Sequence, residues 1–314
     1  MTPSPAVKSY AAFDGVPLFV AGDRKTPEDW HFDGAEYLSL KDQGEIAPKL
    51  AEALPIDHYC RKMFAYLAAI RSGTEVIIDT DDDNLPKPNW GFPEFDGHFD
   101  QLGTQEPFLN IYQWFTDAPV WPRGLPLDLI QTQHSKATEQ TPAKVGVWQG
   151  LADGDPDVDA VYRLTNNTPV TFEPRAPIIL PKGVVCPFNS QNTATRRELF
   201  ALLYLPAFVT FRFTDILRGL VAQPIMWVHG YSLGFTEATV FQDRNDHDFM
   251  KDFASEISMY LQTRQVVELV KNVVRPAESI ENNLFAAYET LAREGIIEDA
   301  ELKSLDAWLN ALAL

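Results

Sequence analysis

The stretch Val76-Ile77-Ile78-Asp79-Thr80-Asp81-Asp82-Asp83-Asn84 constrains this chain more than any other. Three β-branched apolar residues run directly into four carboxylates within five positions. A short continuous apolar run predicts a buried strand, which puts the acidic cluster at the strand's carboxyl end. In open α/β sheets that is where ligands bind. Crowded carboxylates repel one another unless a cation joins them. An all-oxygen donor set suits Mg²⁺, Mn²⁺ or Ca²⁺ rather than zinc. Mg²⁺ commonly takes one or two carboxylates and completes its shell with substrate phosphates. We therefore read Asp81 and Asp83 as ligands of a divalent metal that receives a diphosphate, and count Asp81 and Asp82 among the nucleotide-contacting residues. A solvated acidic turn is the competing structural explanation.

At 314 residues the chain can bury a large core, as one domain or one domain with an appendage. The formal charge of −18, from 44 acidic and 26 basic residues, argues against nucleic acid or an anionic membrane as a main partner. A phosphate ligand stays compatible with it, because a metal and a few local cations reverse the field inside one cleft. The first fifteen residues lack the basic and apolar regions of a signal peptide. Leu199 to Phe213 is too short and too interrupted to span a bilayer. Two cysteines without metal-ligand spacing, Cys60 and Cys186, suggest free thiols in a reducing cytoplasm.

Val16 to Ala21 predicts a first strand, followed by a polar turn in which Gly22, Asp23 and Lys25 either hold a nucleotide's base or phosphates or form a surface loop. A second strand is expected over residues 35–40, a weak helix from Ile46 to Leu54, and a stronger one from Asp57 to Arg71 with Asp57 as its cap. Arg61 and Lys62 lie on the first turns of that helix, where cations oppose the macrodipole. They point to an anion nearby or to an exposed charged pair. Residues 84–107, rich in Pro, Gly and aromatics, read as a long functional loop. Residues 108–115 and 145–150 read as strands, and Val184 to Thr193 as a strand followed by a polar loop whose amides and hydroxyls suit sugar hydroxyls. Arg196 to Leu203 predicts a helix closed by Pro206, and Pro224 to Val228 a strand.

Arg123 sits in a stiff turn between Pro122 and Gly124, a setting suited to gripping a phosphate or a sugar hydroxyl. Asp153, Asp155, Asp157 and Asp159 alternate but lack the glycine and terminal glutamate of a calcium loop, so a solvated or substrate-contacting loop is expected. Asp215 either caps a helix or faces the sugar. His247, in the polar patch before a long helix from Phe249, is a candidate third metal ligand or phosphate contact, with an ordinary surface histidine as the alternative.

Four segments, taken in order, resemble the STELLO glycosyltransferase-like proteins: Tyr59-Cys60-Arg61-Lys62, Asp79 to Asn84, Val120 to Leu127, and Arg244 to Asp248. The same order is similar to the plant reversibly glycosylated polypeptides, which are UDP-arabinopyranose mutases, and to bacterial metal-dependent GDP-sugar pyranose–furanose mutases. A triple aspartate alone is a weak signal; the ordered set, across roughly residues 16 to 260, is more specific. The resemblance implies a GT-A fold, a nucleotide-sugar substrate and Mn²⁺ or Mg²⁺ on Asp81 and Asp83. It implies also that Arg123 matches an arginine the mutase family glycosylates. Two positions depart from the pattern. The histidine expected after a tryptophan appears as Gln242, leaving the third ligand between Gln242 and His247, and the acidic pair appears as Thr214-Asp215. STELLO proteins carry a membrane-anchoring segment that is not found here.

The expectation is thus an α/β, GT-A-like mixed sheet flanked by helices: a loose tail over residues 1–8, a catalytic domain over 9–247 and a helical extension over 248–314 that either covers the site or forms a dimer surface. The expected activity is a cytoplasmic, metal-dependent mutase of an NDP-sugar, GDP favoured, or a glycosyltransferase of the same fold. Arg123, Arg61 and Lys62 would meet the diphosphate, and Asp215 would move a proton. No Gly-x-Gly-x-x-Gly follows a strand, which disfavours a flavin.

Overall fold

The computed structural model describes residues 3–27, 29–104, 106–133, 137–242 and 248–313. The chain opens with helix α1 (Pro5–Tyr10), capped by Ser4. The loose tail expected over residues 1–8 is therefore helical from Pro5, because Ala6, Val7 and Tyr10 find a surface to bury against. Strands β1 (Leu18–Ala21) and β2 (Ala35–Leu38) pair in parallel as a small separate sheet. Ser39 then caps α2 (Leu40–Ile46) through reciprocal hydrogen bonds with Asp42, and α3 (Pro48–Ala53) follows. The helix expected from Ile46 to Leu54 is α3, starting at Pro48, and α2 precedes it. Pro48 keeps the two apart, because proline has no N–H to donate and forces the preceding Ala47 out of the helical region, to φ −145° and ψ 81°.

Helix α4 (Lys62–Arg71) is entered through a 3₁₀ turn over Tyr59–Arg61. Asp57 does not cap it: its φ is +55°, and its carboxylate accepts a hydrogen bond from Arg24 Nε at 3.0 Å. The ring of His58 takes the capping role, accepting from the Cys60 amide.

Seven strands build the main sheet: β3 (Val76–Thr80), β4 (Asn84–Pro86), β5 (Asp96–Leu102), β6 (Thr138–Gly154), β7 (Ile178–Ile179), β8 (Asn192–Arg196) and β9 (Tyr231–Gln242). Strand β8 is antiparallel to both β3 and β6, and β6 is parallel to β9. Hence β3, β6 and β9 run in one direction and end on one side of the molecule. Strand β4 is antiparallel to β9, β5 is antiparallel to the first half of β6, and β7 links β5 to β9. Among the described residues β3 pairs only with β8, so it is an edge strand and not the wholly buried one its composition predicts. Ile77 and Asp79 are buried, and Val76, Ile78 and Thr80 are half-buried.

The remaining helices are α5 (Tyr112–Phe115), α6 (Ala160–Thr165), α7 (Thr214–Val228), α8 (Phe249–Val273), α9 (Ile280–Arg293) and α10 (Ala300–Leu312). Four expectations are corrected. Residues 84–107 contain β4 and β5 and are no continuous loop. Residues 108–115 form a bridge and the short α5, with no strand. Around 184–196 the order reverses: only a bridge at Val185 precedes the Asn-Ser-Gln segment, and the strand is β8, whose side chains are polar but buried. Pro224 to Val228 is the end of α7, not a strand. That helix is buried on nearly every side, so its apolar run has no periodicity to betray it, and the Gln223 amide donates to the Gly219 carbonyl beside the proline.

Helices α8 to α10 share the sheet's main core, in which Phe235, Tyr288 and Trp308 are fully buried. Two buried glutamates fasten them. Glu301 accepts from the backbone amides of Ala207 and Phe208, and Glu256 from the amide of Ala160 and from Arg212. No helix among the described residues is long and apolar enough to cross a membrane.

Cys60 and Cys186 are both free and buried, and burial pushes each thiol up to about 12. The thiolate is the reactive form. Neither cysteine is expected to react with iodoacetamide at neutral pH in the native protein, and both should alkylate in guanidinium; mass spectrometry of the two samples reads the difference.

Candidate functional site

The acidic turn Asp81-Asp82-Asp83 does not close a hairpin. Strands β3 and β4, which it joins, are separated in the sheet by β8, β6 and β9, so the turn passes over the ends of those strands. It meets there the segment that follows β6, with Asp155 and Asp157, and the last residue of β9, Gln242. This is the carboxyl end of the three parallel-running strands, as the sheet rule requires.

A cavity of about 240 Å³ opens at that end. Asp81, Asp82, Asp83, Asp157 and Asp215 line it, with Arg123 and Arg212 the only cations among its lining residues. Both guanidiniums are already paired. Arg123 is 5% exposed and fills its fork with protein acceptors. Its Nε and Nη2 donate to the two oxygens of Asp157 at 2.8 Å, Nη2 also reaches both oxygens of Asp215 at 3.0 Å, and Nη1 donates to the Arg212 carbonyl. Burial works against its charge, but Asp157 and Asp215 outweigh that and hold it protonated well above its usual range. Arg212 is paired with Glu256 at 2.8 Å.

The Pro-Arg-Gly turn that presents Arg123 needs its glycine. Gly124 has φ +91°, and a Cβ there would lie 2.6 Å from Ile216, the neighbour of Asp215. Close approach of this turn to the start of α7 is what brings Arg123 and Asp215 together. Asn189 Nδ2 donates to Asp157 at 2.8 Å and fixes the far side of the pair.

Asp79 and Asp81 have different fates. Asp79 points inward, where it accepts from Tyr66 and from Arg218 at 3.2 Å and pairs with Lys62 Nζ at 2.7 Å. Asp81 points into the cavity. Its Oδ1 accepts from Lys62 Nζ at 2.8 Å and Tyr59 Oη at 3.1 Å, while among the described residues its Oδ2 makes no hydrogen bond. Burial opposes the Lys62 charge, yet Asp79 and Asp81 together keep it protonated well above the ordinary lysine range. Burial, with Asp81 beside it, raises the Tyr59 phenol, which stays a donor. Asp83 accepts from Gln242 Nε2 and Asn84 Nδ2, each at 3.1 Å.

A second cavity of about 370 Å³ lies on the other side of Tyr59, Asp81 and Asp82, which line both. It is mostly apolar, walled by β1, α4 and β3 through Phe19, Val20, Ala65, Ala69 and Ile77, with Asp23, His58, Arg61, Lys62 and Asp79 among its polar groups. Burial lowers the His58 pKa, so the ring is neutral at physiological pH. Arg61 is 4% exposed, donates from Nε to Gln43 at 2.8 Å and lies over the Phe64 ring; its Nη1 is buried with no hydrogen-bond partner.

The structure therefore gathers Asp81, Asp82, Asp83, Arg123 and Asp215 around one cavity and Asp23, Arg61 and Lys62 around the next. Gly22 is buried against Tyr37, where a Cβ would come within 2.3 Å of the phenol oxygen, and lines neither cavity. Lys25 is exposed and lines neither. His247 lies outside the described residues. Gln242 turns its amide nitrogen to Asp83 and its oxygen to Gln191, so it presents a donor to that carboxylate and no ligand oxygen. Lys62 does oppose the macrodipole for the sake of an anion, but the anions it meets are Asp79 and Asp81.

Four lining residues escaped the sequence reading: Tyr59, Asp157, Phe211 and Arg212. Tyr59 left a trace in the segment that carries the family resemblance, and Asp157 in the alternating aspartates. Those four divide among different partners: Asp153 to Lys87, Asp155 to Arg163, Asp157 to Arg123, and Asp159 to the Trp121 indole and the first turn of α6.

A divalent cation fits this donor set. Among the described residues no group of three His, Cys, Asp or Glu side chains is placed to hold a metal by itself. Asp81 and Asp83 supply two carboxylates at a cavity wall, the number Mg²⁺-type sites use when substrate phosphates complete the shell. The cavity carries five carboxylates against two arginines that are already engaged, so a bare diphosphate would be repelled and a cation attracted.

The family model "STELLO glycosyltransferases" matches residues 212–314, from Arg212 and Asp215 through α10. Two proteins of Arabidopsis thaliana, "Probable glycosyltransferase STELLO2" and "Probable glycosyltransferase STELLO1", are each 30% identical to this chain across 99% of its length. The chain spans 43% of the length of each. The large mixed sheet flanked by helices agrees with a GT-A-like glycosyltransferase fold.

Proposed function

From the premise that this chain is a relative of the STELLO glycosyltransferases, we propose that it is a metal-dependent enzyme that transfers the sugar of an NDP-sugar to an acceptor hydroxyl. One observation carries the reading: an apolar cavity and an acidic cavity meet at Asp81 and Asp82. The first suits a nucleoside, the second a cation-bound diphosphate and its sugar. Arg61 lines the apolar cavity, and its guanidinium charge would face the nucleotide from that wall. Residues 9–247 would carry the catalytic work, and 248–314 would buttress it through Glu256 and Arg212.

Asp81 and Asp83 would hold the metal, which supplies Lewis-acid stabilisation of the diphosphate as it departs. The rest falls to side chains. As the anomeric carbon–oxygen bond breaks, its electron pair leaves with the diphosphate. The acceptor oxygen bonds to the anomeric carbon and its proton passes to Asp215, held in place by Arg123. Phe211, 57% exposed and edge-on to Tyr59, offers an aromatic face to a sugar ring. Arg123 is an unsuitable covalent nucleophile: it stays protonated, and its fork is spent on Asp157 and Asp215. That weighs against a mutase that passes through a covalent arginine–sugar adduct, but not against one in which the sugar's own hydroxyl recaptures the anomeric centre.

Incubation of the purified protein with GDP- and UDP-sugars and Mn²⁺, with and without an oligosaccharide acceptor, separates the readings. Transfer predicts free nucleotide that accumulates only with acceptor. A product of unchanged mass but shifted retention, formed without acceptor, would instead establish the mutase. Retained affinity without turnover in any combination would leave a binding protein.

A further inference from the structure

Lys62 stands where the two cavities meet, and its ammonium is placed as a stand-in for another cation. Nζ lies 2.7 Å from Asp79 Oδ1, 2.8 Å from Asp81 Oδ1, 3.2 Å from Tyr59 Oη and 3.4 Å from the Ser190 carbonyl. We propose that the Lys62 ammonium and a divalent cation compete for Asp81, so that the metal is held firmly only once a diphosphate arrives to take Lys62 over. The proposal rests on the metal–nucleotide reading of the cleft.

Three features support it. First, Asp81 Oδ1 already takes protons from Lys62 and Tyr59, so a metal on that carboxylate must either displace Nζ or bind with a positive charge beside it. At the effective dielectric of a half-buried wall that repulsion is costly. Second, the Asp79 charge stays paired when Lys62 leaves, because Arg218 and Tyr66 both hold its Oδ2, although its buried Oδ1 gives up the ammonium. Third, Lys62 has an open space beside it. It is an unbranched side chain, 21% exposed, and it lines the second cavity, beside Asp81 and Asp82 where the diphosphate would cross from one cavity to the other. Metal and nucleotide binding then reinforce one another, by the same factor in either order.

Mn²⁺ binding, followed by electron paramagnetic resonance and calorimetry with and without GDP or UDP, tests this on the wild type, Lys62→Met, Lys62→Arg and Asp83→Asn. For the wild type, Mn²⁺ alone should bind weakly, and nucleotide should tighten it by about tenfold or more. Lys62→Met should bind Mn²⁺ alone about tenfold more tightly than wild type and gain little from nucleotide. Lys62→Arg, which keeps the charge, should bind Mn²⁺ alone as weakly as wild type. If Lys62→Met does not fold by circular dichroism, Lys62→Gln takes its place, with a donor left for Asp79. Equal or weaker Mn²⁺ binding by a folded, charge-free variant overturns the competition. A different failure marks the cleft reading itself: Mn²⁺ that binds neither with nor without nucleotide, or that binds Asp83→Asn as well as wild type.

Discussion

Replacing Arg123 by alanine is expected to cost about 3–5 kcal/mol of folding stability, the usual loss when one partner of a buried ion pair is removed. Two carboxylates depend on it. Asp157 and Asp215 are 5% and 7% exposed and share one guanidinium, so the variant buries two negative charges side by side. Lysine should rescue little. Its ammonium cannot bond both oxygens of Asp157 and reach Asp215 from the same place, a task that needs the planar fork. A thermal melt should show a fall of roughly 5–10 °C for Arg123→Ala. Asp157→Asn combined with Arg123→Ala should recover part of it, because one stranded charge is gone. A melting temperature within about 1 °C of wild type would show that the two carboxylates find other compensation.

Asp83→Asn is expected to lower turnover of an NDP-sugar by about two to three orders of magnitude, the rate equivalent of several kcal/mol of Lewis-acid stabilisation. Stability should change by less than about 1 kcal/mol. The amide is nearly isosteric, and Asp83 is half-exposed and accepts from the neutral side chains of Gln242 and Asn84. Taking one charge from a cluster of five carboxylates relieves repulsion at the same time. Full activity with an unaltered Mn²⁺ requirement would falsify Asp83 as a metal ligand. The contrast between the two variants matters more than either alone: one position should lose chiefly stability, the other chiefly rate.

The cations of the site are where local and tertiary information parted. Arg61, Lys62 and Arg123 all read as groups awaiting a phosphate, since each stands in a local setting that leaves a positive charge unexplained. The fold answers each with a protein partner: Gln43 and Phe64 for Arg61, Asp79 and Asp81 for Lys62, Asp157 and Asp215 for Arg123. Every ion-pair partner among these lies at least seventeen positions away in sequence. That is why the positive charge a diphosphate needs falls, in our reading, to a metal.

From residues 76 to 84 alone it follows that a strand delivers carboxylates to its own carboxyl end, because β-branched residues favour extended backbone and a charged run cannot stay buried in a row. The amphipathic helices α9 and α10 and the glycine-dependent turn at Gly124 are likewise local, set by periodicity and by a backbone angle only glycine adopts freely. Which side of the sheet Asp79 faces, that Tyr59 forms the wall between two cavities, and that Asp157 and Asp215 share one arginine were decided only when distant segments packed. A side chain's charge is written in the sequence. Its partner is chosen by desolvation, which begins only when the core closes and forces each buried ion to find its complement.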